Sequence, residues 1–430
     1  MKRYLLMFVV VGLALTAMAQ KQFLLNERNA QIKSEFTPKK SSFVSDITLT
    51  KFTKTASPRK VMKKEGEEVA YPYGESVYTE LVDAVDDELD ADGKVQYVEA
   101  NRVLSMTLEP SEGVEIPNDG TVANVYIKYF AGYVFELYGV YDEAAGTLTF
   151  PIQVCYQDES YGDCALVAAN EDDEHYGPLV FTKDKEGNFV STQEWQVVIA
   201  DEESEYYMYY LVKGLEPRIL KPNAESSVEY PGQSGRATDV KKNYIEDYET
   251  EITVYNTFSG WGDASYVIIE FDDDLNAYMY ALQRLGTEDM TEDIVKSYPD
   301  LDGSYFSYVR LWGYYYDEES KKYLLSDEDI VGKLEGNTIS FEGPFTIGSG
   351  FVENVGALTY GEIGPMTITL TDGKFDILGG DEEPTGIVNA NATREYKLKN
   401  TPTYNLMGQQ VNRRDVRGIM VRNGKKYIAK

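Results

Sequence analysis

Residues 124–155 read NVYIKYFAGYVFELYGVYDEAAGTLTFPIQVC and contain three short apolar runs, at 124–130, 133–141 and 147–155. Each run is rich in valine, isoleucine, tyrosine and phenylalanine, which fit the pleated, half-buried surface of a β-sheet. Turn sequences separate the runs, and the clearest of them contains Ala145-Gly146. Short strands with a turn about every ten residues are typical of β-sandwiches and β-barrels. This stretch therefore predicts an all-β fold.

The same pattern continues on both sides of this stretch. Further runs lie at 194–199, 206–212, 251–255, 266–271, 305–316, 338–341 and 366–371. A chain of 430 residues exceeds what one hydrophobic core usually organises. We therefore predict two β-sandwich-like domains in tandem, at residues 65–221 and 243–384, joined by a linker at 222–242. The linker assignment depends on its proline, glycine, serine and lysine content and its weak apolar pattern.

An internal repeat would support this tandem arrangement. VYIKYFAGY at 125–133 aligns without gaps with TVYNTFSGW at 253–261, an offset of 128 residues. That offset is about the length of one β domain. The alternative is that strands resemble one another through composition alone, and the sequence leaves both readings open.

The charge of the chain is uneven. The formal net charge is −31, from 41 Lys and Arg against 72 Asp and Glu. Residues 20–64 and 387–430 each carry a net +8, and the first three residues add two positive charges, which leaves −49 for residues 65–386. This acid excess argues against nucleic acid or anionic membranes as the main partner. The single histidine excludes zinc sites built from several histidines.

The N-terminus has the features of a secretory signal peptide at residues 1–19. A basic start at Lys2-Arg3 precedes an apolar run at 4–15 and a small-x-small site that predicts cleavage between Ala19 and Gln20. No other stretch is long and apolar enough to span a bilayer. We therefore expect a secreted or cell-surface protein that passes through the periplasm in transit. Residues 20–64, rich in serine, threonine and lysine, are expected to form a basic linker or arm.

Export makes the two cysteines informative, because exported proteins fold in oxidising surroundings. Cys155 and Cys164 are separated by eight residues, several of which favour turns. The spacing predicts a hairpin in which a Cys155–Cys164 disulfide could form, and a pair of small buried thiols is the alternative. The spacing does not fit a CxxC redox or zinc site.

Residues 88–99 have the spacing of a twelve-residue calcium loop, with oxygen ligands at loop positions 1, 3, 5 and 12 and a glycine at position 6. The ligands would be Glu88, Asp90, Asp92 and Glu99. Four apolar residues spaced four apart precede the loop, as on one face of a helix: Val77, Leu81, Val85 and Leu89. The alternative is a strand–turn–strand in a chain that is rich in acids throughout. Calcium is the one cofactor that the sequence suggests.

The C-terminal segment contains Thr385-Gly386-Ile387, then YNLMGQQV at 404–411, GIMV at 418–421 and NGKKY at 423–427. We expect two hairpins here, the second around Asn423-Gly424, a strong short hairpin signal. These motifs resemble the C-terminal sorting-type domain of exported proteins of Bacteroidota-type bacteria, which use a type IX secretion system. The resemblance covers residues 385–430. It implies that the outer-membrane export machinery recognises this tail, and the body is similar, more loosely, to β-rich secreted proteins that carry it.

Tyrosines suggest what the body does. Residues 206–210 and 314–316 place aromatic side chains on both faces of expected strands, so that some should be exposed. Exposed tyrosine beside carboxylates suits contact with sugars or proteins, although tyrosine also favours strands in general. We therefore predict a non-catalytic binding or interaction protein that recognises an extracellular glycan or protein. The alternative is a carboxylate-dependent polysaccharide hydrolase. No catalytic or cofactor-binding residue can be assigned from the sequence.

Overall fold

The strands in a computed structural model follow the alternation of apolar and polar residues along the chain. The model describes residues 36, 38–41, 43, 71–89, 95–116, 120–170, 173–232, 235–248, 251–258, 266–272, 274–281, 283–289, 306–319, 321–350, 357–359, 362–371, 373, 375, 404–405, 418–422 and 425–429. Within this part of the chain the only helical element is the 3-10 turn Phe130–Gly132, and there is no α-helix. The predicted all-β class is confirmed. The signal peptide, with Ala19 and Gln20, and most of the basic arm lie outside the described residues.

The first sheet contains thirteen strands. They are β1 (Lys39–Lys40), β2 (Gly74–Leu89), β3 (Val95–Glu115), β4 (Val122–Ile127), β5 (Leu137–Asp142), β6 (Thr147–Phe150), β7 (Gln153–Asp158), β8 (Gly162–Asn170), β9 (Asp173–Gly177), β10 (Leu179–Lys183), β11 (Phe189–Val190), β12 (Glu194–Ile199) and β13 (Tyr209–Leu220).

Eight of these strands form a closed ring. Neighbouring strands follow the order β11-β10-β6-β5-β4-β3-β2-β13, and β11 also pairs with β13, so the path returns to its start. Strand β6 shows why the sequence folds this way, because Leu148 and Phe150 are fully buried while Thr147 and Thr149 are not. One cluster of buried side chains includes residues from strands all round this ring. Beyond β13 the sheet continues through β12, β8 and β7.

Thirteen further strands follow in the chain. They are β14 (Ala224–Gly232), β15 (Gly235–Tyr248), β16 (Glu251–Tyr255), β17 (Tyr266–Phe271), β18 (Asn276–Met279), β19 (Arg284–Asp289), β20 (Phe306–Asp317), β21 (Lys322–Ser326), β22 (Ile330–Glu335), β23 (Thr338–Phe341), β24 (Phe345–Gly350), β25 (Ala357–Thr359) and β26 (Met366–Leu370). Strands β14-β15-β16-β17-β18-β22-β23-β26 form a closed barrel, and β19, β20, β21, β24 and β25 form a separate five-stranded sheet.

The predicted linker at 222–242 is wrong, because these residues form β14 and much of β15 in an antiparallel hairpin. Every second side chain along β14 is buried: Ala224, Ser226, Val228 and Tyr230. One of these four, Ser226, is polar. Buried alternate side chains are the mark of a strand with one face in a core. The buried serine weakened the apolar signal in the sequence.

The chain divides into two compact units, residues 1–246 with 253–374, and residues 247–252 with 375–430. The ring and most of the barrel therefore belong to one unit, and the predicted tandem arrangement is not confirmed. Within that unit Val77, Val103 and Leu220 of the ring cluster with Tyr255 of the barrel. Asn256 also donates a hydrogen bond from Nδ2 to Ser105 Oγ at 2.8 Å.

The two segments that the sequence aligned as a repeat share one structural feature. Each contains a strand, β4 or β16, followed by a fully buried phenylalanine, Phe130 or Phe258. The turns differ, because β4 leads into the 3-10 turn whereas Asn256 after β16 has a φ of 71°. The internal repeat stays a prediction.

The calcium-loop segment is a hairpin, so the predicted helix before it is wrong. β2 pairs with β3 in an antiparallel register in which Leu89 lies opposite Val95 and Asp83 opposite Glu99. A spacing of four residues puts side chains on one face of a strand as well as of a helix, which explains the error. Glu99 is four residues beyond Val95 along β3, about 13 Å at strand rise, whereas a calcium loop brings its last ligand back to the first. Asp90 and Asp92 lie outside the described residues.

The hairpin around the cysteines is confirmed, as β7 and β8 pair antiparallel. The predicted disulfide is not present, and both cysteines are buried thiols. The register of this ladder shifts between Val154 and Tyr156, which lie opposite Ala165 and Cys164. The Sγ of Cys155 lies 3.6 Å from the carbonyl oxygen of Cys164, while the Sγ of Cys164 lies 3.5 Å from that of Gly162. The two sulfur atoms point to different acceptors.

We expect both thiols to be unreactive in the folded protein. Burial raises the pKa of Cys164 to about 12, so its reactive thiolate is scarce at neutral pH. A colorimetric thiol reagent at pH 8 should titrate less than one thiol per chain natively and two in guanidinium without reductant. If no thiol is titrated in guanidinium, the two cysteines form a disulfide and the expectation is wrong.

The tail forms a three-stranded sheet of β27 (Tyr404–Asn405), β28 (Gly418–Arg422) and β29 (Lys425–Ala429). The hairpin around Asn423-Gly424 is confirmed, with Arg422 opposite Lys425. Most of the other predicted hairpin, at 404–411, lies outside the described residues. β27 pairs with β28, with Tyr404 opposite Val421.

Candidate functional site

The basic arm contributes one strand to the first sheet. In β1, Lys39 lies opposite Tyr210 and Lys40 opposite Tyr209, at the start of β13. On its other side the same part of β13 pairs with β12, where Val198 lies opposite Tyr210. The described arm residues, 36, 38–41 and 43, are named the arm segment below. An extended segment that adds to a sheet edge is a recurring mode of peptide recognition.

The first anchor of the arm segment is Phe36. Its ring centroid lies 6.1 Å from those of Tyr133 and Phe135 and 6.0 Å from that of Tyr156. Tyr161 donates a hydrogen bond from its hydroxyl to the Phe36 carbonyl oxygen at 3.3 Å. These four aromatic residues, Tyr133, Phe135, Tyr156 and Tyr161, are named the arm groove. Ring pairs at such separations stabilise by about 0.5–1.5 kcal/mol beyond the area they bury.

The second anchor is Phe43, which packs against a different cluster. Its ring lies 5.7 Å from that of Tyr176 in an edge-on geometry. The buried residues of that cluster are Ile152, Ala165, Val167, Val198 and Ala200. Between the anchors, Ser41 donates from Oγ to Gln196 Oε1 at 2.6 Å. The arm segment is therefore held by two aromatic side chains, a short ladder and side-chain hydrogen bonds at Phe36 and Ser41.

An ion pair buried inside the closed ring of strands lies directly behind this groove. Glu80, which is 1% exposed, forms it through Oε1 with Arg102 Nη2. Tyr78 donates to Glu80 Oε2 at 2.8 Å, and Trp195 Nε1 donates to the same oxygen at 2.7 Å. Gly214 lies opposite Trp195 in the β12–β13 ladder. These five residues form what we name the buried cluster.

Arg102 connects the buried cluster to the groove. It donates from Nη1 to the Tyr133 hydroxyl at 2.8 Å and from Nη2 to the Ala131 carbonyl at 2.7 Å. Its guanidinium carbon also lies 4.7 Å from the centre of the Tyr133 ring. Tyr133 is in turn stacked on Phe135, with centroids 5.1 Å apart. The ion pair therefore fixes the position of one wall of the arm groove.

Burial dominates the protonation of this cluster. It raises the pKa of Glu80, and the nearby Arg102 guanidinium and the Tyr78 and Trp195 hydrogen bonds lower it only in part. The pKa of Tyr78 lies well above its usual value, through burial and then the Glu80 charge. For Arg102, burial is the largest single influence and lowers the pKa, but the Glu80 charge, the Tyr133 hydroxyl and Tyr78 together raise it by more, so the pKa is raised and Arg102 stays cationic.

A second surface feature is a shallow groove of about 390 Å³ on β22 and β23. Its lining residues are Val331, Gly332, Lys333, Glu335, Ser340, Glu342 and Gly343. Both carboxylates, Glu335 and Glu342, are exposed, and so are Val331 and Ser340. Sites for small substrates are usually lined mostly by apolar side chains, whereas the lining of this groove is mostly polar. It gives the hydrolase alternative no support.

The sequence-predicted site residues have different outcomes. Tyr315 and Tyr316 are 47% and 45% exposed, as expected for that tyrosine run. In the other run Tyr206 is only partly buried and packs edge-on against Tyr161, with ring centroids 5.6 Å apart, beside the arm groove. Among the described residues no three His, Cys, Asp or Glu side chains are placed to hold a metal, and no helix is long and apolar enough to cross a membrane.

Comparison with protein-family models, with curated proteins and with solved structures finds no match to this chain. The geometry of the arm groove and the buried cluster is therefore the main basis for assigning a function.

Proposed function

We propose that this protein is an exported, non-catalytic binding protein that holds an extended polypeptide segment in its arm groove. The observation that carries the proposal is the docking of Phe36 among Tyr133, Phe135 and Tyr156, with β1 paired to β13. The groove therefore already accommodates a polypeptide with an aromatic side chain. The sequence suggests a glycan or a protein as the ligand, and the docking of Phe36 supports a protein segment.

Two kinds of contact would supply affinity and specificity. Main-chain pairing along Tyr209 and Tyr210 accepts any sequence, while pockets for alternate side chains choose among sequences. Full burial of a phenylalanine is worth about 1.5–3 kcal/mol, from which the ordering of the peptide must be subtracted. Two anchors therefore suit a weak complex, with a dissociation constant on the order of 1 mM.

The route to the exterior is part of the same proposal. Residues 1–19 have the charge and apolar pattern of a leader, and residues 385–430 resemble a type IX sorting-type domain. Both would place the groove outside the cell, either released or at the surface. Detection of the protein in culture medium or on intact cells, lost on deleting residues 385–430, is the test.

A peptide titration tests the groove. We expect a fluorescent peptide of residues 33–46 to bind the full chain carrying Phe36→Ala and Phe43→Ala, in which the resident arm has lost both anchors. The Phe36→Ala form of the peptide should bind at least about tenfold more weakly, since loss of one anchor removes about 1.4 kcal/mol or more. Polarisation of the peptide fluorescence measures both.

Two controls make the titration decisive. The unaltered chain should bind the peptide more weakly, because its own arm competes, and Tyr161→Phe should weaken binding by removing the hydroxyl that reaches the Phe36 carbonyl. Equal binding of the normal and alanine peptides, or none by a folded double variant, would contradict the proposal.

A further inference from the structure

The arm groove has a ligand that is present on every copy of the chain. The arm segment in the structure shows that this amino-acid sequence fits the groove, through Phe36 at one end and Phe43 at the other. The arm of a second copy has the same sequence and can make the same contacts. Only the covalent connection favours a chain's own arm over a neighbour's.

That connection is long. Twenty-seven residues separate Phe43 from Tyr71. Fully extended, they can span at most roughly 90 Å, whereas a small domain is roughly 30 Å across. The chain's covalent geometry therefore allows an arm to reach the groove of a neighbouring copy.

The attachment of the arm is also limited. Of the described arm residues, Lys39 and Lys40 are the two that pair with β13, and both are exposed. Phe36 and Phe43 are partly buried rather than fully enclosed. Loss of a few aromatic contacts and a two-residue ladder is a small cost beside the global stability of a domain, which is about 5–15 kcal/mol. The arm can thus leave its groove while the body stays folded.

Charge favours contact between an arm and another copy's body. Residues 20–64 carry a net +8 and residues 65–386 a net −49. Two such bodies repel each other, whereas a basic arm is attracted to an acidic body over about a Debye length, roughly 8–10 Å at physiological salt. The arm is therefore the element through which two copies can approach.

From these observations we propose that the arm of one copy docks in the arm groove of a second copy, so that the chain associates with itself by strand exchange. This rests on the proposed function of the groove and names its partner. A one-way exchange joins copies head to tail, and a reciprocal exchange gives a closed dimer. Because a tethered arm has an effective concentration on the order of millimolar, exchange becomes significant only at high protein concentration.

Register-directed cross-linking tests the exchange on the full chain. One copy carries Lys40→Cys and a differently tagged copy carries Tyr209→Cys, two positions that lie opposite each other in the β1–β13 ladder. Opposite residues of antiparallel strands are close enough for a disulfide. After mixing at a few hundred micromolar and oxidation with diamide, on the order of a tenth of the chains should form mixed dimers, and this fraction should rise with concentration.

The controls separate this proposal from the function of the groove. A chain with both substitutions should cross-link within itself, which reports docking in the groove. If it does so and no mixed dimer forms, exchange is overturned and the groove stands. If neither this pair nor Lys39→Cys with Tyr210→Cys cross-links, groove docking is overturned as well. Lys40→Cys mixed with Val240→Cys, an exposed position in the barrel, should give no mixed dimer above background.

Discussion

Arg102→Met should destabilise the protein by about 3–5 kcal/mol at pH 7.5, because it leaves the Glu80 carboxylate buried without its cation. Methionine keeps much of the aliphatic volume but supplies no donor for Glu80, Tyr133 or the Ala131 carbonyl. Urea unfolding followed by tryptophan fluorescence measures the loss, since Trp195 is hydrogen-bonded to Glu80. The same substitution should weaken binding of the arm peptide, because Tyr133 loses its support.

A matched control uses an arginine in a more exposed ion pair. Arg218 pairs with Glu246 at 3.4 Å, with side chains 36% and 21% exposed. Arg218→Met should change stability by at most about 1 kcal/mol, as for other partly exposed pairs. Adding Glu80→Gln to Arg102→Met should recover part of the stability, because the uncompensated charge is removed. Equal effects of Arg102→Met and Arg218→Met would contradict a special role for the buried pair.

The effect of Arg102→Met should depend on pH in a defined direction. The pKa of Glu80 is raised in the folded state by burial, so the folded protein binds this proton more tightly than the unfolded chain. Glu80 therefore favours folding most below its pKa in the unfolded chain, about 4.3, and this contribution falls as pH rises through its pKa in the folded protein. Without Arg102 the pKa of Glu80 in the folded protein rises further. The stability difference between the two proteins should accordingly shrink between pH 7.5 and pH 5.

The all-β class could be predicted from the sequence because it depends on a local, two-residue period. Strand β6 shows the period without ambiguity, because Leu148 and Phe150 are buried whereas Thr147 and Thr149 are partly exposed. Strand β2 shows its limit, because a spacing of four fits both a helix and a strand. Only the long pairing of β2 with β3 decides between them, and that contact is not local in the sequence.

The candidate site was largely beyond sequence reasoning, for a physical reason. Phe36 lies about a hundred residues before Tyr133 and Phe135, in a segment whose composition resembles a linker. Its docking depends on a groove built from the residues that lead into β5 and from the β7–β8 hairpin, and no local sequence pattern predicts this contact. The buried pair was equally hidden, because Glu80 and Arg102 look like two of many charged residues. Two sequence signals lay at the groove: the apolar run at 133–141, which contains Tyr133 and Phe135, and the tyrosine run at 206–210.

Gly214→Ala should also be strongly destabilising, by about 3 kcal/mol, although it adds a single methyl group. A Cβ at this position would lie 2.5 Å from Trp195 Nε1 and would overlap the Glu80 carboxylate. The side chains must move apart, which combines overpacking, at about 1–3 kcal/mol, with weakening of a buried charge-assisted hydrogen bond. Thermal and urea unfolding measure the loss, and the tryptophan emission of the folded state should shift as the indole leaves Glu80.

Gly177→Ala is the matched control for Gly214→Ala. Gly177 also lies in a strand, β9, but a Cβ there would meet only the Ala168 carbonyl at an ordinary 3.6 Å. Alanine at such a site should be neutral or stabilising by up to about 1 kcal/mol, through the unfolded chain. Combining Gly214→Ala with Trp195→Phe should cost less than the sum of the two changes, because phenylalanine removes the Nε1 atom that the methyl group meets. Additive effects would instead mean that close packing against Trp195 Nε1 is not what requires a glycine there.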